Sequence, residues 1–499
     1  MKANKFPTKK SDKSHLHIAN PKHNWSEYQK DIFRDIAKGE GHTIVEAFAG
    51  SAKTTSIIES FKYIPKGKKT LALAFNKIIQ EELRARAPSY IQDILTFHSL
   101  GFRAIKQRFG NVELDDNKVY TLVSSQLDKY TDHDLITNLC DTIAFCKYGL
   151  VDIPNKIDEL IDRFGIDTCD MDRKTFIDFV IKTLSLDKLE TSKIDFNDMC
   201  YFPFIYNLPL GQYDYVYVDE FQDLNFSQLI MAKRACKSVG GRIIAAGDFL
   251  QNIYNWRMSD TSVIEDIIKQ EKTKILPLPI SYRCPKKIIE LAKNWAPTIT
   301  CPETAIEGEI IDISLNQLYT TAKPGCFILS RTNAPLIKIC MGFIRNNVKA
   351  NIRGRDVGKQ LIYLIKKSKK KQITAFLKWL EDWKDKEVKI LTSKNINTDN
   401  VLDRHECLVN LCDECKSLDE VIKKTDELFN DNNESNIVIL STTHRCKGLE
   451  ADDIHILFWT FRAWLDNCEM IEKPNENMNI AYVAATRARK RLFIVRKWN

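Results

Sequence analysis

Two short apolar runs, each ending abruptly in a polar cluster, constrain this chain more than any other feature. His42 to Ala47 leads into Phe48-Ala49-Gly50-Ser51-Ala52-Lys53-Thr54-Thr55, and Tyr213 to Val218 leads into Asp219-Glu220-Phe221-Gln222-Asp223. Both runs have the length and the β-branched or aromatic content of strands. Thr54 to Phe61 reads as a helix, and Thr70–Phe75 and Arg242–Ala246 read as further buried strands. Strands that alternate with helices in this way specify a parallel α/β core.

The first cluster has the chemistry of a phosphate loop. Consecutive backbone N–H groups before a helix point at an anion, and the helix N-terminus favours negative charge. Ala49, Gly50, Ser51, Ala52, Lys53, Thr54 and Thr55 are the residues expected to hold a triphosphate. Lys53 would neutralise β/γ-phosphate charge, and the Thr54 hydroxyl would sit on Mg²⁺. The usual loop has glycine where this chain has Ala47 and Ala52. Ala52 is the more consequential change, because a Cβ there limits the backbone angles. Alone, such a loop is a weak signal that an ordinary helix start could equally give.

The second cluster strengthens that reading. Asp219 would hold Mg²⁺, directly or through water, and Glu220 would be the general base for the attacking water. The bland alternative is a solvated acidic turn. Further along, Gly247-Asp248-Phe249-Leu250-Gln251 follows a strand, which places Gln251 to sense a γ-phosphate. Tyr254 and Trp256 come next, an aromatic pair suited to stacking on bases or to packing in a core.

At 499 residues the chain is too long for one core, and two to four domains are expected. Residues 1–23 read as a basic flexible tail. Residues 24–111 and 191–275 form a first α/β domain, with a helical insertion at 112–190. Residues 276–335 and 436–499 form a second, with an insertion at 336–435. Strands are expected in the second domain at Cys326–Ser330, Ile437–Thr442, Ile454–Phe458 and Leu492–Val495. No apolar run reaches the ~18 residues of a membrane span. The polar N-terminus shows no secretory signal. Fourteen cysteines without a disulfide rhythm point to reduced thiols. A net charge of +8 is compatible with nucleic-acid binding without establishing it.

Taken together, the motifs resemble those of the superfamily 1A DNA helicases, the UvrD/Rep/PcrA type, including compact phage and bacterial members and the F-box DNA helicase. The resemblance is carried by Ala47–Thr54, Leu73-Ala74-Phe75-Asn76-Lys77, Thr96-Phe97-His98-Ser99, Asp195-Phe196-Asn197-Asp198, Val218–Asp223 and Gly247–Trp256. It continues through Tyr282-Arg283-Cys284-Pro285, Thr442–Glu450 and Tyr482–Arg489. It implies two RecA-like P-loop domains with ATP and Mg²⁺ held in a cleft between them. On that basis Gln29 reads adenine, Tyr282 stacks on it, Arg283 and Arg487 reach the γ-phosphate, and Glu450 contacts the ribose or nearby motif residues. Phe75, Asn76, His98, Tyr254, Trp256, Thr442 and His444 contact DNA. The implied activity is DNA-stimulated ATP hydrolysis driving 3′-to-5′ movement on single-stranded DNA and unwinding of duplex junctions, in repair, recombination or replication. The implied partner is DNA, with protein partners open and a monomer expected. The expected location is the cytoplasm of a bacterial cell or phage-infected host, or the nucleus of a eukaryote.

Other readings stay open beside it: an ATP-binding nucleic-acid scaffold with weak hydrolysis, or a translocase that strips proteins from DNA or acts on RNA. The insertion after 335 looks shorter than that of larger relatives. The chain runs ten residues past Arg489, so no C-terminal nuclease or partner-binding tail is expected. His405, Cys407, Cys412 and Cys415 have a spacing that zinc could use, although free thiols are the simpler reading. The basic run Lys366–Lys371 reads as a solvated face or a duplex-contacting patch.

Overall fold

Along the central strands of the computed structural model, successive apolar side chains go to opposite faces, and both faces are buried. The structure describes residues 24–497 apart from 92, 129–130, 132, 170, 254–268, 270–271, 394–397, 430–435 and 462–475. The tail at 1–23 and the Tyr254/Trp256 pair therefore lie outside the described residues. The chain groups into two compact units. The first comprises the described segments up to Pro154 and Asp172–Ile280; the second comprises Asn155–Met171 and the bulk of the chain from Ser281 onward.

The strands of the first unit are β1 (Thr43–Ala47), β2 (Thr70–Ala74), β3 (Asp93–Thr96), β4 (Glu113–Leu114), β5 (Lys193–Ile194), β6 (Tyr215–Asp219), β7 (Arg242–Gly247) and β8 (Lys274–Leu278). Six of them form a sheet in the order β3-β2-β6-β7-β1-β8, with every pairing parallel. On one face Ile44, Leu71, Leu73, Val216, Val218 and Ile243 pack with Phe97, Leu100 and Phe221. On the other, Val45, Ala72, Tyr215, Tyr217 and Ile244 pack with Ile32, Phe33, Ile57 and Phe61. Burial of both faces is why these strands read as near-continuous apolar runs. β8 carries Pro277 and stands at the sheet edge, where a missing N–H is tolerated.

The helix Glu27–Lys38 starts with a capping box between Ser26 and Gln29. It is fastened to the sheet by Arg242, which donates to the Asp35 carboxylate at 2.6 Å and to the Gly41 carbonyl at 2.8 Å. The helical segment between β4 and β5 is closed at its base by their two-residue parallel ladder, Glu113 opposite Lys193 and Leu114 opposite Ile194. Where it packs on the residues just after β5 lies a buried charge cluster. Lys147 sits 2.6–3.0 Å from Asp187, Asp195 and Asp198, and Lys118 sits 2.8–3.0 Å from Asp187 and Asp198.

The second unit repeats the plan with β9 (Glu309–Ser314), β10 (Phe327–Ser330), β11 (Ala350–Ile352), β12 (Val438–Thr442), β13 (Ala451–Leu457) and β14 (Ala488–Arg496). Their order is β11-β12-β10-β13-β14-β9, again with every pairing parallel. β11 comes from within 336–435, read from sequence as an insertion. Three residues in a charged context carry too little periodicity to register as a strand. The helices Ile373–Ser393 and Asp399–Cys412 place Phe376, Leu380, Leu408 and Leu411 in the same core as Ile328, Val438 and Leu440 of the sheet.

Candidate nucleotide site and nucleic-acid face

The carboxyl ends of β1, β6 and β7 lie next to one another across the first sheet, because β7 pairs with both β1 and β6. In a parallel α/β sheet this is the end where ligands bind. After β1 the loop is anchored by the Phe48 N–H donating to the Leu278 carbonyl at 3.2 Å and closed by the Ser51 N–H donating to the Phe48 carbonyl at 3.1 Å. Gly50 has φ 73° and Ala52 has φ 58°. The second value is the left-handed conformation that a Cβ disfavours by ~1–2 kcal/mol. The helix Lys53–Ser60 begins immediately after Ala52. Ala49 and Ser51 are buried, and the Ser51 hydroxyl has no hydrogen-bond partner.

Lys53 and the acid pair meet directly. Lys53 Nζ is 3.1 Å from Asp219 Oδ1 and 2.6 Å from Glu220 Oε2. The Thr54 hydroxyl lies 3.4 Å from Asp219 Oδ2. Burial by itself would lower the Lys53 pKa, but the carboxylates of Asp219 and Glu220 outweigh it and raise it, so the ammonium stays charged. Glu220 is itself left-handed, φ 52°, with its N–H donating to Asp219 Oδ1 at 2.9 Å. Gln251 lies in the short turn after β7 and donates to Asp248 Oδ2 at 2.6 Å. Thr55 accepts from Arg86 Nη2 at 3.0 Å, away from the acid pair's contacts.

Gln29 is buried, with both ends of its amide engaged. Its Oε1 accepts from the Ser26 N–H at 3.1 Å, and its Nε2 donates to Ser56 Oγ at 2.9 Å. Ser56 Oγ in turn donates to the Ala52 carbonyl at 2.9 Å, which links Gln29 to the phosphate loop.

In the second unit, Tyr282 is about half exposed. Arg283 pairs with Glu450, which also lies 3.7 Å from Arg489. Arg489 reaches Asp452 at 2.9 Å, the structural surface pairing its position suggests. Arg487 is almost fully buried and donates to the carbonyls of Val483 at 3.0 Å and Leu449 at 3.3 Å.

Of the residues expected to contact DNA, the described ones fall at or just after strand ends of each unit. Phe75 follows β2, half-buried against the core. Asn76 caps the next helix, its side chain accepting from the Ile79 N–H at 2.9 Å. His98 is held below its ordinary pKa by burial and stands edge-on to Phe196, with ring centroids 5.8 Å apart. Phe196 is 52% exposed, an aromatic surface beside His98 that is not among the DNA contacts the resemblance implies. Its signal was an apolar ring between Asp195 and Asp198, two residues committed to the buried cluster. Gly101 explains the close approach of the two segments: a Cβ there would lie 1.6 Å from the Met199 carbonyl oxygen. Thr442 ends β12, buried, and His444 Nε2 is 3.6 Å from Glu476.

His405, Cys407, Cys412 and Cys415 do not converge on a metal. The only group of potential metal ligands among the described residues is Asp187, Asp195 and Asp198, already paired to lysines. His405 instead binds Glu381 at 2.7 Å, and Cys407 and Cys412 are buried in the apolar core. A helix carries the first three residues: His405 and Cys407 point to opposite sides, and Cys412, on the face of His405, stands two turns or about 10 Å further along.

Comparison with known proteins decides the family. The UvrD/REP helicase N-terminal domain matches residues 28–272, and the UvrD-like helicase C-terminal domain matches residues 345–497. The chain belongs to the UvrD-like helicase family. This UvrD-like chain is similar to the probable DNA helicase II homolog of Mycoplasma genitalium, 24% identical over 69% of this chain and 52% of the relative. It is also similar to F-box DNA helicase protein 1 of Schizosaccharomyces pombe, 24% identical over 90% of this chain and 55% of the relative. ATP-dependent DNA helicase PcrA of Bacillus subtilis is 23% identical over 63% of this chain and 49% of the relative. The chain spans about half the length of these relatives. Among its described residues no helix is long and apolar enough to cross a membrane.

Proposed function

We propose that this UvrD-like chain is an ATP-driven translocase that moves 3′-to-5′ on single-stranded DNA and unwinds duplexes, acting as a monomer. The observation that carries the reading is the meeting of Lys53 with Asp219 and Glu220 at adjoining strand ends. The direction rests on the family resemblance alone. Lys53 would exchange its carboxylate partners for β/γ-phosphate oxygens, and Glu220 would then take the proton of the attacking water. The buried, unpartnered Ser51 hydroxyl is a donor that a phosphate oxygen would satisfy.

The oxygen donors present suit Mg²⁺, a hard cation that takes one or two protein ligands together with substrate phosphates. Thr54 Oγ1 and Asp219 Oδ2 would hold it. Bound there, it would neutralise charge on the transferred phosphoryl group. Arg283 and Arg487 are the second unit's candidates for stabilising that charge. Phe75, Asn76, His98 and Phe196 of the first unit, and Thr442 and His444 of the second, are candidates for the DNA track.

One observation favours a second reading. Ala52 takes a left-handed conformation where a glycine would be unstrained, and a loop so constrained suits a nucleotide-binding scaffold with slow turnover. Strand displacement on 3′-tailed and 5′-tailed duplexes, with and without ATP, separates the readings. The translocase unwinds the 3′-tailed substrate only, and Lys53→Ala loses at least ~10²-fold of the DNA-stimulated hydrolysis. A scaffold shows ATP-modulated DNA affinity with negligible phosphate release from the unaltered protein.

A further inference from the structure

We propose that Gln222 is a positioning residue for Glu220, holding the base's carboxylate in register with the end of β7. The assignment rests on the hydrolytic reading above and deepens it. Gln222 is fully buried directly behind the acid pair. Its Nε2 donates to Glu220 Oε2 at 2.7 Å and lies 3.4 Å from Asp223 Oδ2. Its Oε1 accepts the Asp248 N–H at 3.0 Å. This bonding fixes the amide's orientation. Turned over, it would set its oxygen against two carboxylates and its NH₂ against an N–H donor.

The neighbouring strand is shaped to the same amide. A Cβ on Gly247 would lie 2.3 Å from Gln222 Oε1 and 3.2 Å from the Gln222 backbone nitrogen. Asp248, whose N–H Gln222 receives, is the residue to which Gln251 is tethered. A single side chain thus joins Glu220 to the turn that carries the γ-phosphate sensor.

Lys53 and Gln222 both donate to the same oxygen of Glu220. When Lys53 turns to phosphate, Gln222 is the one of the two that keeps its hold on the carboxylate. That donation fixes the direction from which the base meets water.

The test compares steady-state DNA-stimulated ATP hydrolysis of the unaltered chain, Gln222→Leu and Gly247→Ala. Thermal melting and nucleotide-binding stoichiometry are measured on the same samples. Gln222→Leu removes the donor; Gly247→Ala keeps every polar group but displaces the amide. For both variants kcat per bound nucleotide is expected to fall about 10- to 100-fold with KM for ATP changed less than about threefold. A merely structural role would lower the folded fraction and leave kcat per site in place; that result overturns the assignment. Absence of hydrolysis by the unaltered chain overturns the hydrolytic reading and this assignment with it, whereas normal turnover with unchanged variants overturns only the latter.

Discussion

Ala52 and His455 show how one side chain sets a measurable cost. Ala52 sits at φ 58° because the phosphate loop must turn there before the helix begins. Ala52→Gly removes the steric penalty but adds freedom to the unfolded chain, worth ~0.4–1 kcal/mol in the opposite direction. A net gain of about 0.5 kcal/mol in denaturant unfolding is expected, together with faster ATP turnover. His455 is buried in β13, stacked on Phe493 at 4.3 Å, with neither ring nitrogen hydrogen-bonded. Burial lowers its pKa from 6.5 to about 4. The unfolded chain binds this proton first as pH falls, so stability is present above pH 6.5 and is lost progressively towards pH 4. His455→Leu should gain ~1–3 kcal/mol at pH 7 and flatten that acid decline, read by urea melts at several pH values. An unchanged decline would show that other groups control it. The strain at Ala52 was legible in the sequence because the loop's spacing names its left-handed position. The burial of His455 was not, because a histidine between apolar residues reads the same on an exposed face.

At the scale of elements, what could be read was what is local along the chain. Lys53, Asp219 and Glu220 stood out because each follows its strand directly. The bond from Gln222 to Asp248 did not, since it depends on the β6–β7 register that sets Asp219 opposite Ala246. β4 and β5 are two residues each, too short to show a period. Nothing local along the chain marks Lys118 and Lys147, and only the packing of their helices reveals them as fully buried ion pairs. Removing one partner leaves uncompensated buried charge, so Lys147→Met should cost ~3–5 kcal/mol. The exposed Glu27–Lys30 pair is the control: Lys30→Met should cost less than ~1 kcal/mol. Chemical denaturation checks both, and equal costs would mean the buried cluster is not a stability element.

At the scale of the whole chain, the two units use one architecture, six parallel strands with helices between them. Alternating strands and helices announced that much, and the motif series pointed to the family before any geometry was known. The path of the helices did not follow from sequence, because amphipathic faces state that a helix packs without stating against what. The β4–β5 ladder has a topological consequence. It brings the entry and exit of an ~80-residue segment to neighbouring-strand spacing, roughly 4.8 Å. Because the two strands run parallel, any replacement must cross back over the ladder with about a dozen residues or more rather than a tight turn, and the native segment also lends Asn155–Met171 to the second unit. Its fastening is electrostatic as well as geometric, since Asp195 and Asp198 lie beyond the ladder while Lys118 and Lys147 lie within it. A graft or excision at this junction must take its counter-charges along: deletion with both aspartates changed to asparagine should fold, and deletion alone should strand two carboxylates without cations.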